Sequence, residues 1–433
     1  MIASALFAGR RYAVLGLARS GAACVEALAA SGADVTAWDS NAEPREALAN
    51  IATIADPMDI DLSGFDGLVV SPGVPLNRHP VAEKARAEGC AIIGDIELFA
   101  LARPTLPPHR VVGITGTNGK STTTALIHHI LKNAGLPTRM GGNIGLPIMG
   151  QDPLPPGGVY VLELSSYQID LTHNLDCDVA VLLNITPDHL DRYEGFAGYA
   201  ASKARLFGMQ SPGHIAVIAT EDDRTRAIAS YAKGQLIEVE SADIDSGDQA
   251  AWPSLQGPHN AQNAAVAIAA ARALGLGDKV ISDALQSFSG LPHRMERVAE
   301  RDGVLYVNDS KATNPASTAP ALAAYPPDTE PRLHWILGGL PKSDNLDECA
   351  PWFGNVKHAY TIGEAGPLFA NLLEGVVPVE QCELLVTAVE RAAANARDGD
   401  VVMLSPACAS FDQFKDFEAR GDAFKAVVGA LPK

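Results

Sequence analysis

The stretch Val111-Val112-Gly113-Ile114-Thr115-Gly116-Thr117-Asn118-Gly119-Lys120-Ser121-Thr122 decides how this chain is read. An apolar run enters a glycine-rich turn that ends in Gly-Lys-Ser, and a helical pattern from Thr123 to Ala134 follows. A strand, turn and helix of this kind make a phosphate cradle. Glycines let backbone N–H groups converge on an anion, the helix N-terminus adds partial positive charge, and a lysine reaches the β- and γ-phosphates. Lys120 is that lysine, and Ser121 stands where a hydroxyl can hold Mg²⁺. The spacing is unusual, because Ile114 occupies the place where the common P-loop has glycine. The flanking strand and helix carry the reading; the tripeptide alone does not.

Upstream of the cradle, residues 11 to about 94 alternate strand-like and helix-like segments: Tyr12–Leu15, Ala22–Ala30, Val35–Trp38, Gly67–Val70 and Ala91–Ile93. Such alternation predicts a parallel sheet with helices on its faces. The first turn, Gly16-Leu17-Ala18-Arg19-Ser20-Gly21, is a dinucleotide fingerprint with alanine at the second glycine, and Asp39 closes the next strand. Ala18 crowds the usual approach of a pyrophosphate, which favours a nucleotide bound differently from NAD. A proline-rich break at residues 104–108 precedes the cradle. Downstream, strands are expected at Val159–Glu163, Val179–Asn184 and Ile215–Ile218, with a long helix at Asn260–Leu274. A third series begins near Val304–Val307 and continues through His334–Leu337, His358–Ile362 and Val401–Leu404. Segment 241–258 reads as loop or hairpin, and Phe411–Phe424 as an amphipathic helix. The expectation is an α/β chain of three tandem domains. These are an N-terminal Rossmann-like domain (1–94), a central P-loop ATPase-like domain with a mainly parallel sheet (95–292) and a C-terminal Rossmann-like domain (293–433).

The 433 residues are 47% hydrophobic and 19% charged, an ordinary globular composition, and the net charge is −18. That charge argues against nonspecific binding to nucleic acid or to an anionic membrane. An anionic substrate must then be held by local cations, helix ends and metal. Cys24, Cys90, Cys177, Cys349, Cys382 and Cys408 lie far apart with no C-x-x-C pair, which fits reduced thiols in a cytoplasmic protein. No signal peptide and no membrane-spanning apolar run is expected.

Several strand ends carry more polar residues than packing requires. Glu163 ends the strand Val159–Leu162 and is placed as a Mg²⁺ ligand near the cradle. His189, flanked by Asp188 and Asp191 after the next strand, is a candidate for metal or phosphate. Lys203 lies on the following helical stretch Phe196–Phe207, where a lysine is ordinarily a solvated cation. Further clusters stand at Gly257–Asn263, Gly290–Arg294, Asn308–Asn314, Gly338–Lys342 and Ser405–Ser410.

Taken together, the motifs GTNGKST, GGNIG, LELSSYQ, NITPDHLDRY, GPHNAQN, GLPHRME, NDSKATN and SPACASFDQF resemble those of the Mur ligase family across nearly the whole chain. Gly116-Thr117-Asn118-Gly119-Lys120-Ser121 is the form of the cradle that this family carries. The resemblance implies a cytoplasmic ATP-dependent amide ligase of peptidoglycan precursor synthesis. It would add D-glutamate to UDP-N-acetylmuramoyl-L-alanine through an acyl phosphate, act as a monomer, and engage neither nucleic acid nor membrane. Alternatives are a sister ligase for another precursor peptide or for folylpolyglutamate, and, from a different class, a P-loop protein that only senses ATP.

The site residues that follow are likewise implied by the resemblance. Gly116, Thr117, Asn118, Gly119, Lys120, Ser121, Thr122, Asn263, Arg294 and Asp309 would bind ATP. Lys120, Glu163, His189 and Lys203 would be catalytic. Ser121 and Glu163 would hold one Mg²⁺, and His189 with Lys203, carbamylated by CO₂, a second. Arg19, Ser20, Asp39, Ser40, Gly73, Asn143, Ser165 and Gln168 would bind the UDP-sugar substrate. Lys311, Thr313, Lys342, Ser410 and Phe417 would recognise glutamate.

Overall fold

The computed structural model describes residues 1–188, 192–327 and 329–431, in two compact units. The first comprises Met1–Ile244 with Gln262–Leu285, and the second Asp245–Ala261 with Gln286–Lys433.

The first unit holds two parallel sheets. One is built from β1 (Arg11–Leu15), β2 (Asp34–Trp38), β3 (Thr53–Ile54), β4 (Gly67–Val70) and β5 (Ile92–Ile93), in the order β3-β2-β1-β4-β5. The other comprises β6 (His109–Thr115), β7 (Thr138–Gly142), β8 (Gly158–Glu163), β9 (Val179–Leu182), β10 (Ile215–Ala219) and β11 (Gln235–Val239), in the order β11-β10-β9-β6-β8-β7. All of its pairings are parallel, so every strand presents its carboxyl end at the same edge. β6 lies between β8 and β9, with Ile114 opposite both Glu163 and Val181. One apolar cluster runs through both sheets, taking in Val14, Val25, Phe99, Val111, Tyr160 and Phe207.

The second unit carries β12 (Glu296–Arg301), β13 (Val304–Asn308), β14 (Leu333–Gly338), β15 (Val356–Ile362), β16 (Val379–Glu383) and β17 (Val401–Leu404), in the order β12-β13-β17-β14-β15-β16. Only the β12–β13 pairing is antiparallel. Neighbours on β14 enter opposite cores: Trp335 and Leu337 pack with Phe369 on one face, and Ile336 packs with Tyr360 and Phe424 on the other. A strand covered on both faces reads as a continuous apolar run for this reason.

Three expectations need correction. β9 ends at Leu182, because the chain turns there to meet the phosphate loop, where Thr115 and Asn184 take part in backbone hydrogen bonds. Segment 241–258 contains no strand; it forms a 3₁₀ turn at Ser241–Asp243 and a short helix at Ser246–Ala250 before the helix Pro258–Ala273 begins. The C-terminal helix spans Phe417–Ala430, not Phe411–Phe424. Asp416 caps it by accepting from Ala419 N at 2.7 Å, and Asp412 is used instead to accept from Glu364 N at 3.0 Å. All six cysteines are free and buried. Among the described residues no helix is long and apolar enough to cross a membrane.

Candidate active site

In the first unit, β6 ends at Thr115 and the helix Lys120–Asn133 begins four residues after Gly116. Gly119 caps that helix in the left-handed region (φ +82°), and a Cβ there would lie 2.3 Å from Asn263 Oδ1. Only glycine meets both demands. Asn263, buried on the helix Pro258–Ala273, thus lies directly against the cradle, where Thr123 Oγ1 donates to its Oδ1 at 3.2 Å.

Asn184 braces the loop from below. Its backbone carbonyl accepts from Thr117 N (2.8 Å) and its Oδ1 from Asn118 N (2.9 Å). Its amide then donates to Gln262 Oε1 at 2.8 Å. Two of the N–H groups expected to face phosphate are therefore committed to Asn184, which makes Asn184 a positioning residue; it opens the NITPDHLDRY motif, but the sequence reading gives it no role. Thr117 Oγ1 meets the Tyr199 hydroxyl at 3.1 Å. Lys120 Nζ donates across the loop to the carbonyls of Gly116 (2.9 Å) and Thr117 (2.8 Å). Ser121 and Thr122 lie in the first turn of the same helix.

Beside the loop, Glu163 ends β8 and is 2% exposed. Its Oε1 accepts from Asn143 Nδ2 at 2.9 Å, while its Oε2 is buried with no hydrogen-bond partner among the described residues. A buried carboxylate oxygen left in this way suits a hard divalent cation with oxygen ligands. No group of three or more His, Cys, Asp or Glu side chains gathers as a metal cage among the described residues. His189 lies outside them.

Lys203 is 1% exposed on the helix Gly195–Gly208, which points it inward instead of into solvent. Its amine donates to the Gly116 carbonyl at 2.9 Å and lies 4.7 Å from the centre of the Tyr199 ring. Burial first, and then the charge of Lys120, hold this amine well below the usual lysine range; Asp188, Asp170 and Glu163 pull the other way.

Of the residues assigned to the UDP-sugar, Asp39 Oδ2 accepts from Leu17 N at 2.7 Å and its Oδ1 from Asn41 N at 2.9 Å. Burial works to raise its pKa, but these backbone donors prevail and hold it below the usual carboxylate range. Arg19 and Ser20 open the helix Arg19–Ala30, and Arg19 Nη2 donates to the Gly145 carbonyl at 2.9 Å, two residues from Asn143. Gly73 faces open space, and Ser40 is exposed. Ser165 and Gln168 form a capping box at the helix Ser166–Asp170, and the Gln168 amide also reaches the buried Asp95 carboxylate at 3.4 Å.

In the second unit, β13 delivers Asp309, Lys311 and Thr313 at its carboxyl end. Asp309 is buried. Its Oδ2 accepts from Ser405 Oγ at 2.7 Å and its Oδ1 from Met295 N at 3.2 Å. Burial raises its pKa to about 7, against the Ser405 hydrogen bond and the Arg294 charge. Arg294 is flanked by His293 (φ 62°) and Met295 (φ 48°), both left-handed without being glycine. Such backbone strain persists only where the surroundings fix it. Here Asp309 holds Met295, the His293 carbonyl accepts from Lys311 N at 2.9 Å, and Asn308 Nδ2 meets the His293 ring at 3.0 Å.

The residues assigned to glutamate all lie in this unit, and four of them meet in two pairs. Lys311 Nζ lies 4.1 Å from the centre of the Phe417 ring, and Lys342 Nζ donates to Thr313 Oγ1 at 3.2 Å. An antiparallel bridge joins Leu340 to Ala409, one residue before the buried Ser410.

The chain matches three protein-family profiles: Mur ligase MurD-like, N-terminal domain, over residues 10–94; Mur ligase middle domain, over 114–254; and Mur ligase, glutamate ligase domain, over 293–408. It is 67% identical to a UDP-N-acetylmuramoylalanine–D-glutamate ligase of Novosphingobium aromaticivorans, covering 100% of this chain and 97% of that protein. A protein of the same name from Sphingopyxis alaskensis is 64% identical, over 100% of both chains. Among solved structures, the UDP-N-acetylmuramate-alanine ligase of Thermotoga maritima shares the fold with a TM-score of 0.58 at 16% identity, covering 97% of this chain and 99% of that one.

Proposed function

The chain belongs to the Mur ligase family, and on that premise we propose that it joins D-glutamate to UDP-N-acetylmuramoyl-L-alanine with ATP as the activating substrate. The observation that carries this reading is the end-to-end similarity to ligases of that name. The proposed chemistry runs in two steps. A carboxylate oxygen of the alanyl group attacks the γ-phosphorus and ADP leaves, giving an acyl phosphate. The glutamate amine then adds to the acyl carbon, loses a proton, and phosphate departs as the amide forms. Both steps join anions, so positioning and charge neutralisation matter more than covalent catalysis.

Each group of residues has its share. Gly116–Thr122 hold the triphosphate, with Lys120 moving from the loop carbonyls to the β/γ-phosphates. Asn263, Arg294 and Asp309 contact base, phosphate and ribose. Ser121 and Glu163 would hold one Mg²⁺, and His189 with carbamylated Lys203 a second; these ions neutralise phosphate charge when bound. A buried amine depressed towards its neutral form is the nucleophile that CO₂ requires, and the carbamate would turn Lys203 from cation to anion. Arg19, Ser20, Asp39, Ser40, Gly73, Asn143, Ser165 and Gln168 address the UDP-sugar. Lys311, Thr313, Lys342, Ser410 and Phe417 address glutamate. On this reading the enzyme works in the cytoplasm as a monomer, where six free thiols stay reduced.

The test is phosphate release by the purified protein with ATP, Mg²⁺ and UDP-N-acetylmuramoyl-L-alanine, offered D-glutamate, L-glutamate or 2,6-diaminopimelate in turn. Release that depends on D-glutamate is expected. Its absence, or an equal response to another amino acid, would remove the assignment.

A further inference from the structure

Arg420 lies on the helix Phe417–Ala430 and is 1% exposed, yet no carboxylate lies within ion-pair distance of it among the described residues. A charged side chain is almost never buried without a paired partner. Its guanidinium is surrounded by oxygen acceptors from separate loops. Nε donates to Ser310 Oγ (3.0 Å) and Nη2 to the Ser310 carbonyl (2.9 Å) and the Cys408 carbonyl (3.0 Å). Nη1 donates to the carbonyls of Ala409 (3.1 Å) and, at 3.5 Å, Gly338.

These acceptors belong to the three loops that present the glutamate residues. Ser310 precedes Lys311, Gly338 begins the turn that leads to Lys342, and Cys408 and Ala409 precede Ser410. Ser310 Oγ also donates to the carbonyl of Phe417, three residues before Arg420 on its own helix. The turn at Gly339 has no slack, since a Cβ there would lie 2.3 Å from the Ala409 carbonyl. A planar fork with five N–H donors can tie loops from three strand ends at once; a lysine, with its single nitrogen, cannot.

We propose that Arg420 is a positioning residue for the amine substrate: it fixes the Lys311, Lys342 and Ser410 loops in one arrangement, and its buried charge, which makes no direct ion pair among the described residues, favours a dicarboxylate between them. This rests on the glutamate reading of the site. It predicts a defect confined to glutamate. In full-length Arg420→Met and Arg420→Lys enzymes, the KM for glutamate should rise roughly tenfold or more, the equivalent of losing one charged hydrogen bond. The KM for ATP should stay within about twofold. Acyl phosphate trapped by borohydride reduction in the absence of glutamate should form as in the unaltered enzyme. Ser310→Ala, which removes one acceptor, should raise the KM for glutamate by about two- to fivefold and decides the matter if the Arg420→Met protein does not fold. Restoration of the KM by Arg420→Lys would overturn the proposal, as would equal changes in the KM for glutamate and ATP or an unchanged KM for glutamate in every variant. Loss of glutamate dependence in the unaltered enzyme would instead strike the assignment of function itself.

Discussion

Two fully buried cations stand at strand ends of this molecule, Lys203 in the first unit and Arg420 in the second, and their surroundings differ in kind. Lys203 Nζ is held by one carbonyl at 2.9 Å, the Thr115 hydroxyl at 3.4 Å and an aromatic face, with the positive Lys120 nearby. Burial drives it well below the usual lysine range. Arg420 is surrounded by four carbonyls and a hydroxyl, and burial lowers its pKa only to about 10, so the charge survives. On the roles proposed for them, one site would prepare an amine to react, and the other would fix a cation to hold loops. The residue types match those tasks, because lysine yields its proton on burial and arginine does not.

The sharpest way to break that comparison is at Lys203. If a carbamate at this position is required, Lys203→Ala should lower kcat by roughly 10²–10³-fold, the scale of losing a group that stabilises transition-state charge. Small carboxylates such as formate or acetate should restore part of it. Lys203→Arg should be as inactive and should resist rescue, because the guanidinium fills the space without becoming an anion. Full activity in the alanine variant, or no mass increase by one CO₂ on the native protein under bicarbonate, would remove the carbamate from the mechanism.

The two cations also mark the limit of what the sequence made legible. Most interior strands carry an apolar run, because parallel strands buried on both faces need apolar residues at successive positions; β2 (DVTAW) and β15 (VKHAYTI) are more mixed. β3, β7, β11, β12 and β16 are not legible, and each lies at the edge of its sheet. Thr138-Arg139-Met140-Gly141-Gly142 and Val379-Glu380-Gln381-Cys382-Glu383 carry the polar and glycine content of edges, which resembles loop. The phosphate loop stands out because packing alone does not require a glycine turn and a lysine between a buried strand and a helix. Glu163 stands out because a carboxylate closing an apolar strand is costly to bury without a cation. Lys203 and Arg420 do not stand out from the pattern alone, because a single cation on a helix reads as solvated until the face it turns to is known. The family resemblance supplies Lys203; only the packing reveals Arg420 and the part that Asn184, the first residue of the NITPDHLDRY motif, plays in the loop.

A smaller effect is expected at Asp309, a buried carboxyl of the second unit. Its pKa in the folded protein is about 7, above the 3.8 of an unperturbed aspartate, so folding favours the neutral acid. That contribution is fully present below pH ~4 and is lost as pH rises through ~7. Asp309→Asn keeps the shape without the titration. Relative to the unaltered protein, it should gain stability between pH 5 and pH 8, on the order of 2–4 kcal/mol from the size of the shift. Denaturant unfolding at the two pH values measures this, and a difference that does not change with pH would mean that Asp309 is ionised throughout. If Asp309 also meets the ribose, as proposed, activity should fall in the same variant, because an amide offers one acceptor oxygen where the carboxylate offers two.

The smallest effect concerns Ser165, where a structural and a functional role can be told apart. Its hydroxyl accepts from Gln168 N at 3.3 Å while Gln168 Oε1 accepts from Ser165 N at 3.2 Å, a reciprocal cap of the helix Ser166–Asp170. Removing such a cap typically costs ~1 kcal/mol, so Ser165→Ala should lower the unfolding free energy by about that amount. If the hydroxyl also meets the UDP-sugar, the KM for that substrate should rise several-fold while the KM values for ATP and glutamate hold. A loss of stability with every KM unchanged would assign Ser165 to the cap alone. The substrate contacts near this helix would then fall to Asn143, whose amide already meets Glu163 at 2.9 Å. A bound substrate there would have to share that amide with the carboxylate proposed to hold Mg²⁺, coupling substrate arrival to the metal site in a way the glutamate loops of the second unit do not require.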